Sequence, residues 1–265
     1  MRPALLMRNL QAHNGAGVDS LQSQIGTLVR RLQSLHDLAL RGHYLRHKLL
    51  NMPTATVAEL LMLVVSGAEA RDRDHILLLQ CLSLALADRS CEELRHEVAR
   101  LLAASDQCHL AQLLCGDEGA GEQATTAQPQ VDFGLGRPVT LGERKSLARR
   151  RDRDLLARVL RDPHPDVIEI VLNNPTLTEA DVLRLCARRP VQAEVLRRVF
   201  CSARWVAQYP VKVALALNPH CPLDVRMQLA LLLSRQDVVR LMQSGDLPAA
   251  LAESCRRLVG APTVH

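Results

Sequence analysis

VIEIVLNNPTLTEADVLRL, residues Val167 to Leu185, and VKVALALNPHCPLDVRMQL, residues Val211 to Leu229, are one phrase in two spellings. Asn174-Pro175 in the first falls on Asn218-Pro219 in the second, 44 residues on, a spacing typical of arrays of short helices. Proline disfavours helical geometry in the residue before it, so each phrase reads as helix, break, helix. Thr178 is placed as an N-cap for the helix after the break. Asp181 stands three residues along, where a carboxylate suits the helix dipole. The frame extends outward: DVLRLCARR (Asp181 to Arg189) matches DVVRLMQSG (Asp237 to Gly245), and DLLARVLRD (Asp154 to Asp162) is a looser third copy. Leu172, Leu183, Leu185, Val213, Leu215 and Leu217 are the candidate core of this region.

RDPHPDVIEIVLNNPTLTEADVLRLCARRP (Arg161 to Pro190) and YPVKVALALNPHCPLDVRMQLALLL (Tyr209 to Leu233) resemble the repeats of the leucine-rich repeat variant family. The resemblance covers residues 154 to 257. It implies a right-handed superhelix of alternating short helices, close to HEAT-type solenoids. That family's founding example carries an iron–sulfur cluster on an N-terminal cysteine motif. Here Cys81, Cys91, Cys108, Cys115, Cys186, Cys201, Cys221 and Cys255 contain no CxxC, and their spacings fit no common zinc or iron–sulfur pattern. No cofactor is expected, and the cysteines read as small buried hydrophobes in a reducing compartment. The resemblance therefore implies a fold and not an activity.

Composition agrees with that architecture. Apolar residues make up 48% of the 265, yet aromatics only 2%, so the core must be built from Leu, Val and Ala. No alternating β-branched or aromatic run appears, and the fold class expected is all-α: an α-α superhelix with a long N-terminal helix and a disordered or extended central linker. No apolar run approaches the roughly 18–20 residues needed to span a bilayer. With no signal-peptide core at the N-terminus, the expected location is cytoplasmic. The net charge is +5, and all basic residues but Lys48, Lys145 and Lys212 are arginine. That skew, with the abundance of Ala and Leu, suits a GC-rich, bacterial-like genome and weakens any argument from arginine content to phosphate binding.

Four segments are expected: a flexible terminus (1–17), an N-terminal helical domain (18–115), a linker (116–139) and a C-terminal repeat domain (140–260). In the second, one helix is predicted from Val18 to Asn51, weakest at Gly42. Leu21, Ile25, Leu28, Leu32, Leu35 and Ala39 recur at steps of four and three, as in a coiled-coil seam. The stripe serves either a homodimer or packing against the helices that follow. Thr56 with Glu59, Ser90 with Glu93, and Thr140 with Glu143 have capping-box spacing. The linker GDEGAGEQATTAQPQ is small, polar and acidic.

Candidate binding residues cluster after the linker. Arg137 to Arg161 holds nine basic and three acidic residues. On a continuous helix Arg144, Arg151 and Arg158 share a face, Lys145, Arg149 and Arg153 lie elsewhere around it, and Arg150 completes the run. Phe133, beside Gly134 within the linker, is a rare aromatic in this chain, and Arg204 and Trp205 form a second candidate pair. Each has a plainer reading: a solvated first helix for the basic run, a core residue for Trp205. His36, His43 and His47 line one stripe, but Tyr44 stands where a zincin motif needs Glu, so they read as a polar flank. No GxSxG, P-loop or dinucleotide motif occurs, and no enzymatic activity is expected. The function expected is a non-catalytic helical-repeat scaffold that binds another protein. The alternative is a HEAT-like nucleic-acid-binding protein resembling DNA-alkylation glycosylases, with a basic face around Arg204 and Trp205. A third reading, a metal protein, rests on family analogy alone.

Overall fold

The computed structural model describes residues 16–116, 132–133, 136–245 and 247–260. Every regular element among them is helical. The chain runs through α1 (Ala16–Gln33), α2 (Leu38–Leu50), α3 (Thr54–Glu69), α4 (Arg73–Ala87), a 3-10 turn (Arg89–Cys91), α5 (Glu92–Ala104) and α6 (Cys108–Cys115). It continues through α7 (Leu141–Leu147), α8 (Arg153–Val159), α9 (Pro165–Leu172), α10 (Glu179–Ala187), α11 (Ala193–Cys201), α12 (Ala203–Val206), α13 (Tyr209–Ala216), α14 (Leu223–Leu232), α15 (Arg235–Met242) and α16 (Ala249–Gly260). The contacts divide it into two compact units: residues up to Gly116 together with those from Ala249 onward, and the stretch between. So α16, expected at the end of the C-terminal domain, groups with the first unit. Its Leu251, Cys255 and Leu258 are buried, and Arg257 reaches Glu69 on α3. The expected terminus 1–17 and linker 116–139 lie largely outside the described residues.

In the first unit, the single helix expected from Val18 to Asn51 is two. It breaks at Ser34 to Asp37, not at Gly42. The Ser34 hydroxyl donates to the Arg31 carbonyl at 2.7 Å, and Asp37 caps α2 by accepting from the Ala39 N–H at 3.0 Å. Gly42 is instead buried inside α2, where a Cβ would stand 3.4 Å from Leu84 Cβ of α4. Its small size permits the close approach of α2 and α4. The break also divides the heptad stripe. Leu21, Ile25 and Leu32 are buried within the chain, where α1 packs on α4, while Leu28 and Leu35 are half-buried and Ala39 is exposed. The Leu21–Ala39 stripe therefore does not run along one continuous helix. Two expected capping boxes are absent as well. Helix α3 starts at Thr54 after Pro53, and Asp88, not Ser90, accepts the N–H that opens the 3-10 turn before α5. The Ser90 hydroxyl itself donates to the Asp88 carboxylate at 2.7 Å.

In the second unit, α7 packs on α9, α9 on α11 and α11 on α13, each helix on the next but one, while α10 packs on α13 and α13 on α14. Thr140–Glu143 forms the expected capping box, and Thr178 is the expected N-cap, its Asp181 completing a capping box that the sequence reading did not name. Leu172, Leu185 and Leu215 are buried, and Leu183, Val213 and Leu217 are half-buried. Nine of the ten residues of α14, Asp224 to Leu232, are buried, so the helix is enclosed on every face.

The two Asn-Pro phrases share a device beyond helix breaking. The Asn174 amide donates to the carbonyls of Ala148 (3.0 Å) and Arg150 (2.8 Å). Asn218 donates to those of Cys186 (2.7 Å) and Arg188 (3.0 Å). In each case the side-chain oxygen accepts the N–H two residues on, that of Thr176 or His220. Both asparagines are buried. Each thus closes its own turn and ties it to the end of an earlier helix, satisfying carbonyls that the helix ladder leaves free. Asp162, in the looser third copy, accepts the His164 N–H in the same way at 2.8 Å.

Candidate functional site

The basic segment between Arg137 and Arg161 does not form one helix. Helix α7 stops at Leu147, a turn follows, and Asp152 caps α8 by accepting from Asp154 and Leu155 N–H groups. In that turn the Ala148 and Arg150 carbonyls accept from the Asn174 amide instead of from a continuing helix. Arg144, Arg151 and Arg158 therefore do not share one helical face: the first is on α7, the second in the turn, the third on α8.

Carboxylates of the same chain take up part of this charge. Arg137 forms a double hydrogen bond with Glu143, at 2.6 and 3.1 Å, and together with the Thr140 contacts it draws the Glu143 carboxyl down to about 2. One Arg144 guanidinium nitrogen lies 2.9 and 3.0 Å from the two oxygens of Asp162, whose side chain is fully buried. Lys145 meets Asp166 at 2.7 Å and holds that carboxyl below its usual range. These pairs fasten α7 to the α8–α9 turn and the start of α9. Arg153, from α8, bonds the Thr176 carbonyl and Asp181. Burial alone would raise Asp181, but the hydrogen bonds from Arg153 and Thr178 outweigh it and hold the carboxyl at about 2.

What is left is a smaller group. Arg149, Arg150, Arg151, Arg158 and Arg161 are all exposed. Arg149 donates only to the Lys145 carbonyl of its own helix, and the other four have no side-chain partner among the described residues. Phe133 is buried, which removes it from a contact surface.

Arg204 and Trp205 lie elsewhere in the unit and hold its layers together. The Trp205 ring is buried, and its indole N–H donates to the Leu172 carbonyl at 2.8 Å, closing the C-terminus of α9. The Arg204 guanidinium stacks over that ring, 4.3 Å from its centroid, and donates to the Asn174 and Leu177 carbonyls. Arg188 likewise bonds the Leu160 and Arg161 carbonyls, and Arg197 forms a double hydrogen bond with buried Asp224 at 2.6 and 2.9 Å. Much of the arginine in this unit thus ties one helix to another.

Among the described residues no group of three or more His, Cys, Asp and Glu side chains could hold a metal ion. Cys108 is exposed and Cys115 half-buried, at opposite ends of α6, with Cys115 Sγ 3.6 Å from His96 Nδ1. Cys81, Cys91, Cys186, Cys221 and Cys255 are buried, and burial pushes the Cys186 thiol up to about 12. No helix of the described residues is long and apolar enough to cross a membrane.

Sequence reasoning missed the asparagine amides and Lys212. The signal for the first was present: Asp162-Pro163, Asn174-Pro175 and Asn218-Pro219 place an Asx residue before each proline. Lys212 could be found by alignment of the two copies, which sets it against Ile168.

No family model, no curated protein and no solved structure matches the chain.

Proposed function

We propose that this protein is a non-catalytic helical-repeat scaffold that binds an acidic protein surface through Arg149, Arg150, Arg151 and Arg158. The observation that carries this is the division of the basic segment. Arg137, Arg144, Lys145 and Arg153 are matched by carboxylates of the chain, while Arg150, Arg151 and Arg158 stand exposed without one. A cation that does no structural work and stays hydrated is available to steer and hold a partner of opposite charge. The solenoid reading draws support from the next-but-one packing of α7, α9, α11 and α13 and from the shared Asn174 and Asn218 bonds. Those features belong to repeat arrays and fit the leucine-rich repeat variant resemblance. Arrays of this kind bind partners over an extended surface rather than in a pocket. The compartment in keeping with this reading is the cytoplasm.

The test compares the full-length protein with its Arg149→Glu, Arg150→Glu, Arg151→Glu variant. Partners retained from native extract are identified by mass spectrometry, and binding to a DNA duplex is measured by anisotropy at two salt concentrations. Loss of protein partners with the thermal melt nearly unchanged is the expected result, because exposed charges contribute little to folding. Retention of every partner would refute it. Tight duplex binding with a steep salt dependence, abolished in the variant, would replace the acidic protein by nucleic acid.

A further inference from the structure

Lys212 stands on α13 at the position that Ile168 occupies in the other copy of the phrase, and Ile168 is fully buried. Lys212 is itself only 8% exposed. It has no ion pair, hydrogen bond or ring contact from its side chain among the described residues. It is the fourth residue of α13, and its backbone N–H donates to the Gln208 carbonyl, making the helix's first internal bond. The chain's other lysines are differently placed. Lys48 lies exposed in the last turn of α2, where the dipole favours its charge, and Lys145 is paired with Asp166. Burial without a counter-charge stabilises the neutral amine, and it lowers the Lys212 ammonium below its ordinary value. The Lys212 amine nitrogen is nevertheless not among the polar atoms sealed from solvent.

We propose that Lys212 is an amine-modification site that accepts an acyl group from activated acyl donors of the acyl-phosphate class. The unprotonated Nζ attacks the carbonyl carbon with its lone pair. A C–N bond forms, the bond from that carbon to the phosphate oxygen breaks, inorganic phosphate leaves, and the amine proton passes to water. The product is a neutral amide, which removes an uncompensated charge from a nearly buried position instead of adding a burden to it.

The experiment treats the full-length folded protein with limiting acetyl phosphate near neutral pH and follows acetylation of Lys48, Lys145 and Lys212 by peptide mass spectrometry. A parallel sample is unfolded in urea. Lys212 is expected to react several-fold faster than Lys48 and Lys145 when folded, with the preference gone in urea. The Lys212→Gln variant, an acyl-lysine mimic, is expected to keep or raise the melting temperature. Acetylation of folded Lys212 no faster than that of Lys48 would overturn the proposal. So would a preference that persists in urea, or a clear fall in the melting temperature of Lys212→Gln.

Discussion

Replacing Asn174 by Asp tests the turn-closing role more sharply than replacing it by Ala. The Asn174 amide group donates to two carbonyls, at 3.0 and 2.8 Å, and its oxygen accepts from the Thr176 N–H and hydroxyl at 3.0 and 2.7 Å. Aspartate keeps the accepting half and deletes the donating half, with almost no change of shape. The carbonyls of Ala148 and Arg150 then face a carboxylate. An orphaned buried polar group costs about 1–3 kcal/mol, and Ala148 is fully buried while Arg150 lies in an exposed turn that water reaches. One full penalty and one partial one put the loss at about 3 kcal/mol. Asn173→Ala is the control: Asn173 is exposed and donates only to the Glu169 carbonyl of its own helix, so its change should stay within about 0.5 kcal/mol. Urea melts followed by helical circular dichroism give the size of the effect, and hydrogen exchange of the α9 and α10 amides locates it. If Asn174→Asp melts within about 0.5 kcal/mol of the native protein, the amide is not holding those carbonyls and the reasoning fails.

Leu185→Ala should cost about 2–5 kcal/mol in the same melts, because Leu185 is buried, and half-buried Leu183→Ala distinctly less. Equal losses would mean that α10 is rotated from its observed face. Asp181 sets an acid limit. Its folded value of about 2 lies below its ordinary 3.8, so its contribution is present above 3.8 and lost as pH falls through 2. That contribution is about 1–2 kcal/mol once the half-exposed Arg153 is discounted for screening. Asp181→Asn should flatten the acid limb of stability between pH 4 and pH 2 relative to the native protein, and an unchanged limb would refute the assignment.

The helical class of this chain was legible because it rests on local chemistry. The repeated phrase, the prolines that follow Asn174 and Asn218, the Thr140 capping box and the Thr178 N-cap all act within a few residues, and all are present. The break after α1 was also local, in Ser34 and Asp37, but a strong heptad stripe concealed it. The candidate site was legible only as a list of residue types. Arg144 and Arg151 are alike in sequence, yet Arg144 is matched by Asp162, eighteen residues on, and Arg151 by nothing among the described residues. Trp205 reads in sequence as either an interface anchor or a core residue, and its N–H on a carbonyl thirty-three residues earlier decides for the core. Periodicity and proline breaks follow from the covalent neighbourhood of each residue, so the amino-acid sequence by itself determined the helical class and the breaks at Asn174-Pro175 and Asn218-Pro219. Which charges are neutralised, which amides close which turns and which lysine is left without a partner depend on groups brought together from distant positions, and only the tertiary structure decided those.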